Sequence, residues 1–137
     1  MTGFIPVLTF HSIDDGRAPT SFGPELFARG METLARSGYR TIALGEAASL
    51  AAARRPFPER SFVITFDDGY RNVYDSAFPV LARHSFTATI FLTTGTGGGT
   101  DDADRLPPLF GGEMLSWGEI KIMKESGFDF GAHTLTH

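Results

Sequence analysis

The sequence predicts an α/β fold in which parallel strands alternate with helices. Five apolar segments have the length of strands, and helical patterns fill the intervals between them. Most of these segments are apolar at consecutive positions, which is typical of strands covered on both faces. An open doubly wound sheet and a (β/α) barrel both agree with this order. Only about five strand–helix units fit into the 137 residues, so a closed barrel of eight units is excluded.

The predicted strands are the segments where apolar, β-branched and aromatic residues concentrate. They comprise residues 4–10, 39–44, 62–66, 86–92 and 128–132. Because a connection between two parallel strands is right-handed and usually contains a helix, the helices are expected to cover the sheet.

Three helices are predicted between the first four strands. The first follows from apolar residues at helical spacing over residues 26–35, and Gly38 ends it. The second is the alanine-rich segment 46–55. The third covers residues 72–84 and contains Pro79, which breaks or restarts the helix.

A fourth helix is predicted before the last strand. Ser116 and Glu119 have the spacing of a capping box at its start, and Gly127 ends it. Trp117, in the first turn, is expected to pack in the core. The preceding segment, residues 93–112, is rich in Gly, Asp and Pro, and its length is typical of a functional or disordered loop.

Composition and charge exclude several classes of function. The net charge is −4, and the scattered basic residues form no patch for nucleic acid. The absence of Cys excludes disulfides and thiolate metal sites. No apolar run is long enough for a membrane span, and residues 1–10 lack the basic start of a signal peptide. The sequence leaves the localisation open: cytoplasmic as written, or periplasmic or extracellular if a leader has been removed.

Two adjacent carboxylates, Asp67 and Asp68, come directly after the third predicted strand. Ligands in α/β folds gather where loops leave the carboxyl ends of parallel strands. Neighbouring carboxylates repel each other, and a bound cation relieves that repulsion. The alternative is structural, because Asp-Gly is a common turn signal and Asp68 would then cap the next helix.

Two of the four histidines, His133 and His137, follow the fifth predicted strand. On a helical turn, a spacing of four places both imidazoles on one face, where they can bind one metal ion. Gly131, just before them, lets the backbone approach closely. With one carboxylate they supply the three protein ligands of a catalytic zinc site, and a second carboxylate is free to act as general base. This set is suited to the hydrolysis of an amide or ester.

The segments FVITFDDGY, at residues 62–70, and GAHTLTH, at residues 131–137, resemble the metal motifs of the polysaccharide deacetylase family. This family is also known as carbohydrate esterase family 4 or the NodB homology domain. The segments VLTFHSIDD and SGYRTIAL are similar to those of exopolysaccharide-type members, and FTATIFL is similar to the family's strand after the Asp-Asp-Gly helix. The implied fold is a distorted (β/α) barrel. Here it would be a partial barrel of about five units in a single domain, residues 1–137, whose C-terminal part is missing.

The resemblance implies a role for each residue of the two motifs. Asp67 would be the catalytic base, and Asp68, His133 and His137 would bind a divalent metal ion, with zinc expected before other transition metals. The implied substrate is an N-acetylated polysaccharide of the N-acetylglucosamine type, whose N-acetyl groups are released as acetate by attack of metal-activated water.

Two further residues have a functional and a structural interpretation. His11, at the end of the first predicted strand, would protonate the leaving amine, or it is a strand-end histidine hydrogen-bonded to the loop. Tyr70 would stack on the sugar as a substrate-binding residue, or it packs in the core.

Family members continue past the second metal motif with further strands and an Arg- and Pro-containing motif, which this sequence does not match. We therefore expect uncovered apolar surface, which a homo-oligomer would bury. A chain without these parts is also expected to have reduced or no activity. Two other functions are alternatives to the deacetylase. One is a non-catalytic carbohydrate-binding or structural protein. The other is a phosphoryl-accepting receiver domain, whose acidic pair should follow the first strand.

Overall fold

The computed structural model describes residues 3–95, 104–135 and 137. The strands of this part of the chain are β1 Val7–Phe10, β2 Ser12–Ile13, β3 Ser21–Phe22, β4 Arg40–Thr41, β5 Ser61–Asp68, β6 Thr89–Thr93 and β7 Asp129–Thr134. The α-helices are α1 Pro24–Arg36, α2 Leu44–Ala52, α3 Phe78–Arg83 and α4 Trp117–Glu125. A π-helical segment, Val73–Ala77, leads directly into α3.

The strands form a five-stranded sheet in which every pair is parallel. Its order is β1-β5-β6-β7, and β4 pairs with the first residues of β5. The short strands β2 and β3, which the sequence did not predict, pair in parallel beside this sheet. The predicted α/β fold with a parallel sheet is confirmed, and all five predicted strands contribute to the sheet.

The central strand, β5, is buried on both faces because its residues are apolar at consecutive positions. Phe62, Ile64 and Phe66 lie in the main core with buried side chains from α1, α3 and α4. Val63, on the opposite face, packs with Ile42 in a smaller cluster. The central position of β5 places its carboxyl end, and therefore the Asp pair, between neighbouring strands.

The helices follow the predicted signals closely. Pro24 stands in the first turn of α1, and Gly38, with φ +77°, comes directly after its C-cap residue. The capping box of α4 is complete. The Glu119 N–H donates to Ser116 Oγ over 3.1 Å, and the Ser116 N–H donates to Glu119 Oε2 over 2.8 Å.

Three local predictions differ from the structure. β4 is only two residues long, because α2 already begins at Leu44. The π-helical segment precedes Pro79, which has no N–H and would crowd the carbonyl of Asp75 in a regular α-helix. Trp117 is 53% exposed, so its prediction as a core residue is wrong. At N1 of α4 its side chain faces solvent.

Part of the predicted loop, residues 96–103, lies outside the described residues. The described remainder contains two isolated antiparallel bridges, between Arg105 and Ser116 and between Leu109 and Gly112. In the described part of the chain, no helix is both long and apolar enough to cross a bilayer.

Candidate active site

The candidate site lies at the carboxyl edge of the parallel sheet. His11 directly follows β1, the two aspartates end β5, and His133 is near the end of β7. Parallel strands that share one sheet bring these ends together, so residues that are far apart in sequence become neighbours.

The turn after β5 is set by two residues with positive φ angles. Asp68 has φ +78°, a conformation that Asp adopts more readily than most residues, and it breaks the extended backbone at the strand end. Gly69 has φ +90°, and a Cβ there would lie 2.9 Å from Leu92 Cδ2. A sharp turn against β6 therefore requires glycine at residue 69 and leaves Asp68 buried, with 3% of its surface exposed.

His133 occupies an irregular position in β7. The register with β6 shifts so that Leu92 pairs with Ala132 and Thr93 pairs with Thr134, which leaves His133 as an extra residue. An extra strand residue of this kind redirects its side chain, and such bulges are frequent beside active sites. The prediction that both histidines share a helical turn is therefore wrong, because His133 belongs to a strand.

The two imidazoles nevertheless converge. The His137 N–H donates to Thr134 Oγ1 over 2.7 Å, which fixes the turn after β7. The ring centroids of His133 and His137 are 5.5 Å apart. A strand bulge followed by a turn thus reaches the same convergence that a helical turn would give.

Asp68, His133 and His137 form a cluster that can hold a metal ion. Asp68 Oδ1 lies 3.2 Å from His137 Nε2 and 3.4 Å from His133 Nε2. One ligand atom from each residue lies within 4.8 Å of the other two. Ligand atoms about 2.0–2.1 Å from a tetrahedral zinc ion are about 3.3 Å apart, so the two short distances match a shared cation.

The hydrogen bonding of Asp68 agrees with this interpretation. Its Oδ1 is buried and has no hydrogen-bond partner among the described residues, although two ring nitrogens lie within contact distance. Burial of an unpaired carboxylate oxygen is unfavourable, and a cation placed between these three atoms would compensate for it. The donor set of one carboxylate and two imidazoles therefore fits a divalent cation.

Asp67 and His11 face each other beside this cluster. The Asp67 Oδ2 to His11 Nε2 distance is 3.7 Å, and the side chains are 22% and 28% exposed. Asp67 is not one of the three residues whose ligand atoms converge. The structure thus places Asp68 in the cluster and Asp67 outside it, partly exposed beside His11. Their catalytic and ligand roles stay predictions.

Tyr70 is mostly buried, with 9% of its surface exposed. It forms an isolated bridge with Met114, and Gly112 is required opposite its ring because a Cβ there would lie 2.8 Å from Tyr70 Cε1. Burial, and then the charges of Asp68 and Asp14, raise the pKa of the phenol. Tyr70 therefore stays neutral, and packing is its main role in the structure.

Sequence reasoning missed the group that holds the segment after the Asp pair. Arg71 Nε lies 3.0 Å from Glu119 Oε1, and Arg71 Nη1 lies 3.1 Å from Glu113 Oε1. The Arg71 N–H also donates to the Glu113 carbonyl, and the Leu115 N–H donates to the Gly69 carbonyl. A basic residue directly after the motif was the only signal. Glu113 and Glu119 are more than 40 residues away in sequence, and the nearby Asp75 lies farther from Arg71, at 3.8 Å.

The sequence model of the polysaccharide deacetylase family matches residues 54–137, which contain both metal motifs. This chain belongs to the polysaccharide deacetylase family. The resemblance seen in the two motifs is thereby confirmed, and membership in this family excludes the receiver-domain alternative.

Two relatives illustrate the similarity. The Bacillus subtilis (strain 168) protein YxkH is 30% identical over 133 residues, which are 97% of this chain and 43% of YxkH. The poly-beta-1,6-N-acetyl-D-glucosamine N-deacetylase of Staphylococcus epidermidis is 39% identical over 79 residues, which are 57% of this chain and 25% of that protein. The chain thus spans less than half the length of both relatives.

A solved structure supports the fold assignment. IcaB from Ammonifex degensii is similar to this chain with a TM-score of 0.79 and 30% sequence identity. The similarity covers 96% of this chain and 53% of IcaB. The predicted fold class is confirmed, and this chain corresponds to about half of the larger protein.

Proposed function

We propose that this protein is a metal-dependent hydrolase that removes N-acetyl groups from an N-acetylglucosamine polysaccharide. The observation that carries the proposal is the convergence of Asp68, His133 and His137, with Asp67 and His11 beside them. The printed name of the Staphylococcus epidermidis relative supports a β-1,6-linked polymer as the substrate class.

Asp68, His133 and His137 would hold the cation. Two imidazoles and one carboxylate are a donor set of catalytic zinc sites, which makes zinc the first choice. When bound, such a cation polarises a carbonyl group and lowers the pKa of a water molecule.

Asp67 and His11 would move the protons of the reaction. Asp67, as general base, takes a proton from the water that adds to the acetyl carbonyl carbon. His11, as general acid, gives a proton to the sugar nitrogen when the C–N bond breaks, so that acetate and a free amine result. The 3.7 Å between Asp67 Oδ2 and His11 Nε2 supports this proposal, because two groups so close could both reach one amide.

Acetate release from a β-1,6-linked N-acetylglucosamine oligosaccharide tests the proposal. The protein is assayed after treatment with a chelator and again after addition of zinc. We expect acetate release that the chelator abolishes and zinc restores. Zinc-loaded protein that releases no acetate, or a rate that the chelator does not change, contradicts the proposal.

A further inference from the structure

A groove of about 380 Å³ lies beside the metal-binding cluster. Its volume falls in the range of roughly 300–1,000 Å³ that is common for small-molecule sites. We call it the Asp14 groove, and six of its lining residues are Asp14, Ser21, Tyr70, Asn72, Phe110 and Glu113. Two of these connect it to the cluster. Tyr70 follows Asp68 by two residues, and the ring centroid of Phe110 lies 5.3 Å from that of His137.

The carboxylate of Asp14 is fixed in this groove by neutral donors. It accepts hydrogen bonds from Ser12 Oγ, from Asn72 Nδ2 over 3.2 Å and from the Gly16 N–H over 2.8 Å. Asn72 is itself oriented by the Ile13 N–H, which donates to its Oδ1 over 3.0 Å. Uncharged donors orient a carboxylate without cancelling its negative charge.

Acidic groups outnumber basic groups in the lining. Asp14 and Glu113 are both present, and Arg71 is the basic residue among the lining residues. The Arg71 guanidinium is already shared with Glu113, with Glu119 and, at 3.8 Å, with Asp75. Its positive charge is therefore compensated by neighbouring carboxylates. Glu113 is in turn paired with Arg71 and, at 3.5 Å, with Arg105. Asp14, which is held by neutral donors, is therefore the carboxylate through which the groove favours a cationic ligand.

An exposed aromatic ring completes the site. Phe110 is 79% exposed and stands between the groove and His137. An exposed ring in this position can pack against the apolar face of a sugar, and the aromatic face also attracts a cation.

We propose that the Asp14 groove binds a glucosamine unit with a free ammonium group, adjacent to the N-acetylated unit at the metal-binding cluster. This inference rests on the proposed function and deepens it. The protein would then prefer partly deacetylated chains, because each acetyl group removed creates the ammonium that the groove recognises.

Direct binding tests the groove independently of catalysis. Calorimetry at low salt compares two β-1,6-linked trisaccharides. One, called the glucosamine trisaccharide, carries a single free glucosamine unit next to N-acetylglucosamine, and the other is fully acetylated. The comparison includes the wild type, Asp14→Asn, the control Asp15→Asn on the exposed neighbouring residue, and Phe110→Ala. Thermal melting of each variant shows whether it is folded.

We expect the wild type and Asp15→Asn to bind the glucosamine trisaccharide about tenfold more tightly than the acetylated one, because charged hydrogen-bonding groups contribute at this level. Added salt should reduce this preference. Asp14→Asn should abolish it, whereas Phe110→Ala should weaken the binding of both trisaccharides.

Equal affinity of the wild type for both trisaccharides overturns the proposal, even if acetate is released normally. A preference that a folded Asp14→Asn variant retains also overturns it. If the preference depends on Asp14 but no acetate is released from any substrate, the groove assignment stands and the proposed deacetylase function fails.

Discussion

Asp67 and His11 are the two residues whose roles depend most on their mutual position. Their side chains face each other at 3.7 Å, partly exposed, beside the cluster of Asp68, His133 and His137. We expect Asp67→Asn and His11→Gln each to lower acetate release by at least about 100-fold, the usual lower contribution of general acid–base catalysis. Steady-state assays of zinc-loaded variants measure this. Near-wild-type rates in Asp67→Asn would remove Asp67 from the mechanism.

A double-variant cycle tests whether the two groups act together. The effects of substituting groups that lie close together and act in one catalytic mechanism are often strongly non-additive. The Asp67→Asn, His11→Gln double variant should therefore lose far less activity than the product of the two single losses. Losses that multiply would show that the two residues act independently.

Residue types and spacing predict that Asp68, His133 and His137 form a candidate metal site, but not the geometry that brings them together. The spacing of His133 and His137 indicates two ligands for one metal ion, which a helical turn would explain. The structure reaches the same convergence through an extra strand residue in β7, which is visible only in the pairing with β6. The positive φ of Asp68 is likewise a product of tertiary packing, since Asp-Gly alone fits several turns.

At the scale of elements, the pairing of β6 with β7 depends on a glycine. Gly131 lies opposite Phe91, and a Cβ at residue 131 would be 2.9 Å from Phe91 Cδ1 and Cε1. Gly131→Ala should lower the free energy of unfolding by about 1 kcal/mol, because the ring must move. The matched control is Gly30→Ala in α1, where the space is open and Ala should stabilise by about 0.5–1 kcal/mol. Urea denaturation of both variants measures these changes in the free energy of unfolding. A Gly131→Ala variant that is more stable than the wild type would contradict the expected clash with Phe91.

The start of α4 is expected to make stability depend on acid pH. Burial raises the pKa of Glu119, but hydrogen bonds with Ser116 and the charges of Arg105 and Arg71 outweigh burial, so the pKa lies below the ordinary value of 4.5. A lowered pKa stabilises the folded state at pH values above the ordinary pKa of the unfolded chain. That stabilisation is lost as the pH falls through the folded-state pKa.

Glu119→Gln isolates this charge, since Gln also fits a capping box. At pH 7 the variant should be less stable by up to about 1 kcal/mol, because residue 119 no longer carries a charge that pairs with Arg71 and Arg105. Between about pH 5 and pH 3 the wild type should lose stability more steeply than the variant. Denaturant titrations at both ends of this range provide the measurement, and parallel pH profiles would count against the proposed role of the charge.

Two elements, β5 and α4, show where a local sequence pattern is enough to predict the structure. Consecutive apolar residues predict β5, and Ser116 and Glu119 predict the start of α4, because burial on both faces and capping are local signals. The π-helical segment before Pro79 and the pairing of β2 with β3 lack such signals. They result from a missing N–H and from packing against residues distant in sequence.

At the scale of the whole molecule, β1 is an edge strand of the described sheet. Val7 of β1 is 48% exposed, and exposed apolar edges invite pairing with another chain. The predicted homo-oligomer stays a prediction that light scattering can test. We expect association that increases with protein concentration and decreases in Val7→Lys, because a charged edge residue opposes strand pairing. A wild type that stays monomeric at high concentration would contradict it.

The central claim is that Asp68, His133 and His137 bind one divalent cation while Asp67 does not. Titration calorimetry with zinc tests this most directly on the wild type, Asp68→Asn and Asp67→Asn. We expect the wild type to bind one zinc ion per chain and Asp67→Asn to bind zinc with unchanged affinity. Asp68→Asn should bind zinc at least about 100-fold more weakly, a loss larger than the usual effect of removing a residue that only hydrogen-bonds to a metal ligand. Wild-type zinc affinity in Asp68→Asn, or a loss of affinity in Asp67→Asn alone, would contradict it.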